Sequence, residues 1–349
     1  MLVDLSKSLT KILPISASES RPNWSVMIPC HNNASFLREA IESVLIQYPT
    51  DGQMQIVVVD DCSTIGDPEK IVRESGKGKV DFFRQPVNVG HSKNYDTCIK
   101  LAKGKLVHIL HEDDRVRPGF YNGIGELFDK YPGIGAAFCR HIFIDESGNW
   151  ISISEIEGRK GILDNWLERI AEKQRIQYCS IVVKREVYEA LGGFINRDTA
   201  GDGWEMAGED WEMWARIAAY YPVAYDPAPL AEYRIHKSSM TGYLSRSGQN
   251  IRDLQKVINI INKHIPDEKK DIVKKAGEKH FSNYAFETAK KLLEEPGNEE
   301  AAKAQLIEAA KMNPDLIHSN ISPYIKLNQL IEVTGISVVV SNYGDHSRL

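Results

Sequence analysis

An apolar run in the first third of the chain stops at a cluster of acids. The run Leu106–Leu110 is followed directly by His111–Asp114, and three of those four residues carry carboxylates. Neighbouring carboxylates repel one another unless a cation or hydrogen-bond donors offset their charge. Their oxygens are the hard ligands that Mg²⁺ and Mn²⁺ prefer, and these ions in turn bind phosphate oxygens. The pattern therefore predicts a strand whose carboxyl end binds a cation; the alternative is a turn whose acids cap the next helix.

Three further predicted strands are followed by polar residues in the same way. Open α/β sheets bind ligands at the carboxyl ends of their parallel strands, which lie along one edge. We therefore expect four polar clusters to meet at one edge of the sheet. Besides His111–Asp114, the clusters are Pro29-Cys30-His31-Asn32, Asp60-Asp61-Cys62-Ser63 and Asn88-Val89-Gly90.

The hydrophobic pattern predicts the elements that would position these clusters. Apolar and β-branched runs mark strands, and apolar residues at helical spacing between them mark helices. This alternation with short connections predicts an α/β fold with a mostly parallel, doubly wound sheet and flanking helices. The predicted strands are 24–29, 55–61, 80–84, 105–110, 136–144 and 178–183, with two short strands at 223–225 and 230–234.

The character of the chain changes after about Ser238. We predict a tail over 1–22, an α/β domain over 23–240 and an all-α region over 241–349. Apolar stripes in the last region predict helices near 251–261, 276–293 and 299–312. Residues 277–315 loosely resemble one tetratricopeptide-type helical pair, although a stable solenoid needs about three repeats.

The composition narrows the class of protein. With 349 residues, 42% hydrophobic and 26% charged, the chain is typical of a globular protein of about two domains. The net charge of -5 argues against a nucleic-acid footprint. No apolar run is long enough for a transmembrane helix, and the N-terminus lacks a signal-peptide core. Five widely spaced cysteines without a CxxC pair argue against zinc and a disulfide framework. We expect a cytoplasmic protein, and peripheral attachment at the inner face of the membrane stays open.

Taken in order, the motifs resemble those of glycosyltransferase family 2, the inverting enzymes of the GT-A fold. The resemblance runs from about Trp24 to Met240 and does not include the C-terminal helices. His31 stands where the family usually has Tyr, His111 replaces the first Asp of Asp-x-Asp, and Lys93 replaces a common Arg. The matching motifs are Ile28-Pro29-Cys30-His31-Asn32, Asp60-Asp61-Cys62-Ser63, Asn88-Val89-Gly90-His91-Ser92, His111-Glu112-Asp113-Asp114 and Glu209-Asp210.

The resemblance implies a GT-A, Rossmann-like sheet and a nucleotide-sugar donor, most simply a UDP-sugar. In this interpretation Asp61 or Asp60 accepts the uracil N–H, and His31 stacks on the base or hydrogen-bonds to it. Helix capping and an ordinary turn are the alternatives for these residues. The full set of residues implied for donor binding is Pro29, His31, Asn32, Asp60, Asp61, Asn88, Gly90, Lys93, Glu112 and Asp113.

A divalent cation, Mn²⁺ or Mg²⁺, is implied at the same edge. Asp113 would bind it, and Asp114 would cap the following helix. The segment Tyr233-Arg234-Ile235-His236 resembles the Tyr-Arg-x-His that closes many family members. His236 would complete the metal shell, and a neutral structural histidine is the alternative.

The resemblance implies that Glu209 and Asp210 matter most for the rate of sugar transfer. Sugar transfer needs a base for the acceptor hydroxyl, and we predict that Asp210 is this base and that Glu209 orients the acceptor. The alternative is a pair of first-turn acids favoured by the helix dipole. The preceding loop 195–207 has no periodicity, and we predict that Trp204 and Trp211 stack on the acceptor sugar. At this spacing Trp211 would otherwise be a core residue.

The predicted function is thus inverting, metal-assisted sugar transfer to a glycan, lipid-linked or protein acceptor, in glycan or cell-surface polysaccharide synthesis. One alternative is a catalytically weak nucleotide-sugar-binding module that acts through its helical tail. A nucleotidyltransferase is disfavoured because no Gly-rich, Lys-containing phosphate loop follows the first strand. We expect the C-terminal helices to bind a protein partner or a second copy of the chain.

Overall fold

The computed structural model describes residues 9–16, 20–49, 52–196, 200–201, 204, 207–236, 240–294 and 296–314 of the chain. Within these ranges the chain forms a ten-stranded sheet with helices on both faces. The strands are β1 Trp24–Cys30, β2 Met54–Asp60, β3 Asp81–Arg84, β4 Leu106–Ile109, β5 Arg115–Val116, β6 Ala136–Ile144, β7 Trp150–Ile153, β8 Gly161–Ile162, β9 Ile181–Lys184 and β10 Val223–Arg234.

The helices occupy the connections that the apolar spacing predicts and continue to the end of the described chain. They are α1 Leu37–Leu45, α2 Pro68–Ser75, α3 His91–Leu101, α4 Phe120–Lys130, α5 Trp166–Glu172, α6 Arg185–Leu191, α7 Glu209–Tyr220, α8 Met240–Ser245, α9 Gln249–Ile261, α10 Lys270–Leu293 and α11 Glu299–Met312. The predicted helical C-terminal region is confirmed, although α10 begins six residues before the predicted start at 276.

The sheet has the strand order β3-β2-β1-β4-β9-β6-β10-β5. The first four strands in this order are mutually parallel, and β10 is parallel to β6. Strand β9 is antiparallel to both β4 and β6. The predicted mostly parallel sheet is therefore confirmed, with one reversed strand in its centre. The short strands predicted at 223–225 and 230–234 form the single strand β10, whose register shifts at Pro229.

Alternating side chains of the central strands fill two apolar layers. In β1, Val26 and Ile28 belong to the layer that α1 and α4 cover, whereas Met27 belongs to the layer that α3 and α7 cover. Strand β2 shows the same alternation. A parallel strand buried on both faces needs such a continuous apolar run, which is why the strand prediction succeeded here.

The N-terminal segment 9–16 packs on the domain, which corrects the predicted tail for these residues. Ile12 is only 1% exposed and joins the larger apolar layer. The backbone N–H of Gly193 donates to the carbonyl of Thr10 at 2.8 Å. Residues 1–8 and 17–19 lie outside the described residues.

The C-terminal helices share an apolar layer with the sheet region. Residues of α9, α10 and α11 belong to the same buried cluster as those of α3, α5 and α7. The ring of Phe281 in α10 lies 4.8 Å from the ring of Trp211 in α7. Among the described helices, none is long and apolar enough to cross a membrane. Residues 315–349, the last part of the predicted all-α region, lie outside the described residues.

Candidate functional site

The turn after β2 uses its two carboxylates within the protein. Asp60 is completely buried, and its oxygens accept hydrogen bonds from the backbone and hydroxyl of Ser63 and from Arg84 Nε at 2.6 Å. Because Asp60 has no exposed surface, the prediction that it binds the nucleotide is wrong; its carboxylate holds the turn. Asp61 is 2% exposed and accepts from the N–H groups of Val89 at 2.8 Å and Gly90 at 2.9 Å. Asp61 therefore shapes the loop that leads into α3.

His31, at the end of β1, contacts the ends of the other three strands. Its ring Nδ1 lies 2.9 Å from the carbonyl oxygen of Asp61, and its Nε2 lies 3.0 Å from Nδ2 of Asn88. Its backbone N–H donates to Oε1 of Glu112 at 3.2 Å. The side chain is exposed, so a ligand at this edge can reach the ring.

The neighbours of His31 along the chain have different roles. Asn32 accepts hydrogen bonds through Oδ1 from Thr64 N at 2.8 Å and Ile65 N at 3.0 Å, which ties the first turn to the second. Pro29, which was predicted to take part in donor binding, is buried within β1. Strand β1 extends one residue further than predicted, to Cys30.

The start of α3 presents a concentration of donors. Gly90 is its N-cap with φ of +82°, and Lys93 in the first turn is exposed. The hydroxyl of Ser92 is buried and has no hydrogen-bond partner in the described part of the protein. A helix N-terminus with spare backbone and hydroxyl donors favours an anion such as a phosphate.

The turn after β4 brings together His111, Asp113 and Asp114. One potential ligand atom from each lies within 4.8 Å of the others. Within the described residues, His111 Nε2 and Asp114 Oδ2 are buried and lack hydrogen-bond partners. Burial lowers the pKa of His111, which keeps its ring neutral and able to bind a metal. One nitrogen and two carboxylates, with an unpartnered buried atom on His111 and on Asp114, fit a divalent cation.

Asp114 does not cap the following helix. Helix α4 begins at Phe120 after Gly119, five residues beyond Asp114 in the chain. Instead Asp114 Oδ1 accepts from the backbone N–H of Arg234 at 2.9 Å. Burial, followed by the charge of Asp113, raises the pKa of Asp114 well above its usual value. The turn therefore groups acids at an energetic cost that a bound cation would offset.

The segment Tyr233–His236 supports Asp113 from β10. His236 Nε2 lies 2.8 Å from Asp113 Oδ2, and Arg234 Nε donates to the carbonyl of Asp113 at 2.8 Å. The hydrogen bond to Asp113 raises the pKa of His236. His236 therefore holds Asp113 by a hydrogen bond and is not among the three side chains with grouped ligand atoms.

Glu209 and Asp210 form the first turn of α7, after the N-cap Gly208 with φ of +90°. Glu209 is 7% exposed, and the hydroxyl of Tyr178 donates to its Oε1 at 3.4 Å. Burial and then the neighbouring Asp210 raise the pKa of Glu209. Asp210 is partly buried and accepts from Gln174 Nε2 at 2.5 Å. Burial raises the pKa of Asp210 to about 6.

Tyr95 of α3 lies between the two groups of acids. Its ring stacks on that of His111 with centroids 5.2 Å apart and lies 5.5 Å from the ring of His91. Burial raises the pKa of Tyr95, and so, in decreasing order, do the charges of four carboxylates. These belong to Glu209, Glu112, Asp113 and Asp210. The acids after β4 and those that begin α7 therefore face the same ring and one edge of the sheet.

Trp204 and Trp211 do not line this edge. Trp204 is 1% exposed and donates from Nε1 to the carbonyl of Ala207 at 3.2 Å. Trp211 is completely buried and donates to the carbonyl of Ile170 at 2.5 Å. The prediction that both stack on an acceptor sugar is wrong, because each ring is enclosed in the apolar layer beneath α7.

Sequence reasoning missed Gln174 and Tyr178, which support Asp210 and Glu209. Both lie outside any motif, and the segment 148–176 showed no readable period. Tyr178 was assigned to a strand but lies in the 3-10 turn Tyr178–Ser180 before β9. His91, whose Nε2 lies 3.8 Å from Glu209 Oε1, belonged to a quoted motif without a role.

Part of the sequence matches a known family. Residues 25–192 match the profile of glycosyl transferase family 2. A curated relative from Rickettsia typhi, "Uncharacterized glycosyltransferase RT0329", is 25% identical over 63% of this chain and 66% of its own length.

Two solved structures share the fold. S. aureus TarS 1–349 superposes with a TM-score of 0.60 at 14% identity, over 84% of this chain and 82% of TarS. The mannosyltransferase PcManGT from Pyrobaculum calidifontis superposes with a TM-score of 0.51 at 18% identity, over 84% and 88% of the two chains.

The mixed sheet with helices on both faces has the GT-A fold. Residues 25–192, just under half of the chain, match glycosyl transferase family 2, and the protein is a glycosyltransferase.

Proposed function

We propose that the protein transfers a sugar with inversion from a UDP-sugar to an acceptor hydroxyl. TarS has been crystallised with UDP and with UDP-GlcNAc, and PcManGT with GDP-Man and Mn²⁺. These complexes support a nucleotide-sugar donor for the present chain. We place the reaction in glycan or cell-surface polysaccharide synthesis.

The observation that carries the proposal is the state of Asp210. A general base works best when its pKa lies near the operating pH and its free oxygen can reach the substrate. Burial raises the pKa of Asp210 to about 6, and Gln174 fixes the orientation of its carboxylate. In the proposed reaction Asp210 takes the proton of the acceptor hydroxyl while the hydroxyl oxygen bonds to the anomeric carbon. The bond from that carbon to the diphosphate breaks, and the nucleoside diphosphate leaves with the electron pair.

The donor would lie along the edge formed by the first three strand ends. His31 offers an exposed ring and Asn88 an exposed amide for the base and ribose. The N-terminus of α3, with Gly90, Ser92 and Lys93, offers donors to the diphosphate. Asp61 would contribute to donor binding indirectly, because it holds the loop whose backbone N–H groups donate to its carboxylate.

A divalent cation fits the turn after β4. His111, Asp113 and Asp114 would hold it, since two of their buried ligand atoms otherwise lack partners. When bound, such a cation neutralises the charge that develops on the departing diphosphate. His236 and Arg234 would keep Asp113 in place through the hydrogen bonds described above.

The test is the substitution Asp210→Asn, which keeps the shape of the side chain and removes its basicity. We expect the release of UDP from UDP-sugars, UDP-GlcNAc among them, to fall by about 100-fold or more in Mn²⁺. Calorimetry should show unchanged donor binding. Asp129→Asn, at an exposed position on α4 beside the amino ends of β1 and β4, is the matched control and should keep full activity. Near-normal turnover by folded Asp210→Asn would overturn the assignment.

A further inference from the structure

A buried carboxylate of the helical region reaches the turn that precedes the catalytic helix. Asp253 in α9 is completely buried. Its Oδ2 accepts from the backbone N–H of Ala207 at 3.1 Å, and its Oδ1 accepts from Gln249 Nε2 at 2.7 Å. Ala207 lies two residues before Glu209. A buried charge is retained at a cost, so its hydrogen bonds define where this turn lies.

Apolar side chains of α9 enclose the next residue of the turn. A Cβ placed on Gly208 would lie 3.2 Å from Leu254 Cδ2 and 3.2 Å from Val257 Cγ2. With a φ of +90°, this position also favours glycine on conformational grounds. Helix α9 therefore packs directly against the backbone from which α7 starts.

The electrostatics agree with this proximity. Burial and then Asp210 raise the pKa of Glu209, and Asp253 also contributes in the same direction. Asp253 thus lies close enough to act on the first turn of α7 through both a hydrogen bond and its charge.

We propose that Asp253 is a positioning residue for sugar transfer: by fixing the turn at Ala207 and Gly208, it sets the direction in which α7 presents Asp210. This inference rests on the proposed function, because it takes Asp210 to be the base. The helical region then completes the catalytic site, whatever partner it also binds. A displacement of about 1 Å at a reacting group can cost about 100-fold in rate.

The experiment compares Asp253→Ala with the control Ser282→Ala in the full chain. Ser282 is also completely buried in the helical region, and its hydroxyl donates to the carbonyl of Ala309 at 2.9 Å, between α10 and α11. We expect Asp253→Ala to lower kcat for UDP release by about 10- to 100-fold without changing the Kd for UDP measured by calorimetry. Ser282→Ala should keep kcat. Asp253→Asn, which retains an acceptor for Ala207 N–H, should recover most of the loss.

A second variant covers the case in which Asp253→Ala does not fold. Val257→Ala loosens the apolar contact with Gly208 and should lower kcat several-fold, again with unchanged UDP binding. The inference is overturned if these variants keep the kcat of Ser282→Ala, or if UDP binding weakens as much as kcat. Asp210→Asn, measured alongside, separates the two hypotheses. Loss in Asp210→Asn with none in the Asp253 and Val257 variants refutes only the positioning role, whereas full activity in Asp210→Asn refutes the base.

Discussion

Two turns of this protein carry neighbouring acids, and they use them in opposite ways. After β2, the carboxylates of Asp60 and Asp61 accept hydrogen bonds from the protein itself. The donors are Ser63, Arg84 and two backbone N–H groups. After β4, Asp114 keeps a buried oxygen without a partner in the described structure, beside an equally unpartnered His111 nitrogen.

The difference shows that acids at one turn hold a loop in place, whereas acids at the other turn can bind a ligand. A carboxylate whose lone pairs are taken by the protein fixes a loop and adds little capacity for a further ligand. A group of acids with unused lone pairs is costly until a cation arrives, and it keeps that capacity. The sequences Asp60-Asp61 and Asp113-Asp114 look equivalent, and only their surroundings distinguish them.

The largest expected effect comes from the turn after β4. Asp113→Ala should lower UDP release by about 100-fold or more, because the cation site loses its central ligand. Without added metal the variant should be less stable than the parent in urea, because it loses the pairing with His236 that lowers the pKa of Asp113 against the opposing effect of burial.

Chelation gives the matching measurement on the parent protein. EDTA should abolish UDP release, and Mn²⁺ or Mg²⁺ should restore it in the parent but not in Asp113→Ala. If EDTA left the activity unchanged, the turn after β4 would not differ from the turn after β2 in binding a cation.

A smaller effect concerns Asp210, whose side chain is only partly buried. Burial raises its pKa to about 6, and the base must be deprotonated to accept a proton. We therefore expect kcat to fall as the pH drops through about 6, approaching tenfold per pH unit below it. The residual activity of Asp210→Asn should lack this decline. A kcat for the parent that stays constant between about pH 7 and 5 would contradict the assignment.

The smallest effect is structural and belongs to the turn after β2. Asp60→Ala removes a buried acceptor of several hydrogen bonds and should lower the free energy of unfolding by about 1–3 kcal/mol. Urea denaturation measures this change. Asp81→Ala, at an exposed position at the start of β3, should stay within about 0.5 kcal/mol of the parent. Equal stability of the two variants would show that the Asp60 carboxylate does not hold the turn after β2.

The sheet was predictable because its signals are local. β1 and β2 are continuous apolar runs, and short polar turns separate them from their helices, so element type and order followed from the residues. The reversed direction of β9 was not predictable, because periodicity does not encode whether a strand runs parallel or antiparallel to its neighbours. The burial of Trp204 and Trp211 was not predictable either, because a large aromatic ring near a motif is equally compatible with sugar binding and with the core.

The sequence by itself determined which acids lie together at the candidate site, because acids after apolar runs lie at strand ends, and strand ends of a parallel sheet share an edge. The tertiary structure decided which of those carboxylates accept hydrogen bonds from the protein and which can still bind a ligand, because this depends on donors from distant segments. Gln174 reaches Asp210 across 36 positions and Asp253 reaches Ala207 across 46. Such pairings arise only when packed helices bring unrelated stretches together, and no local spacing records them.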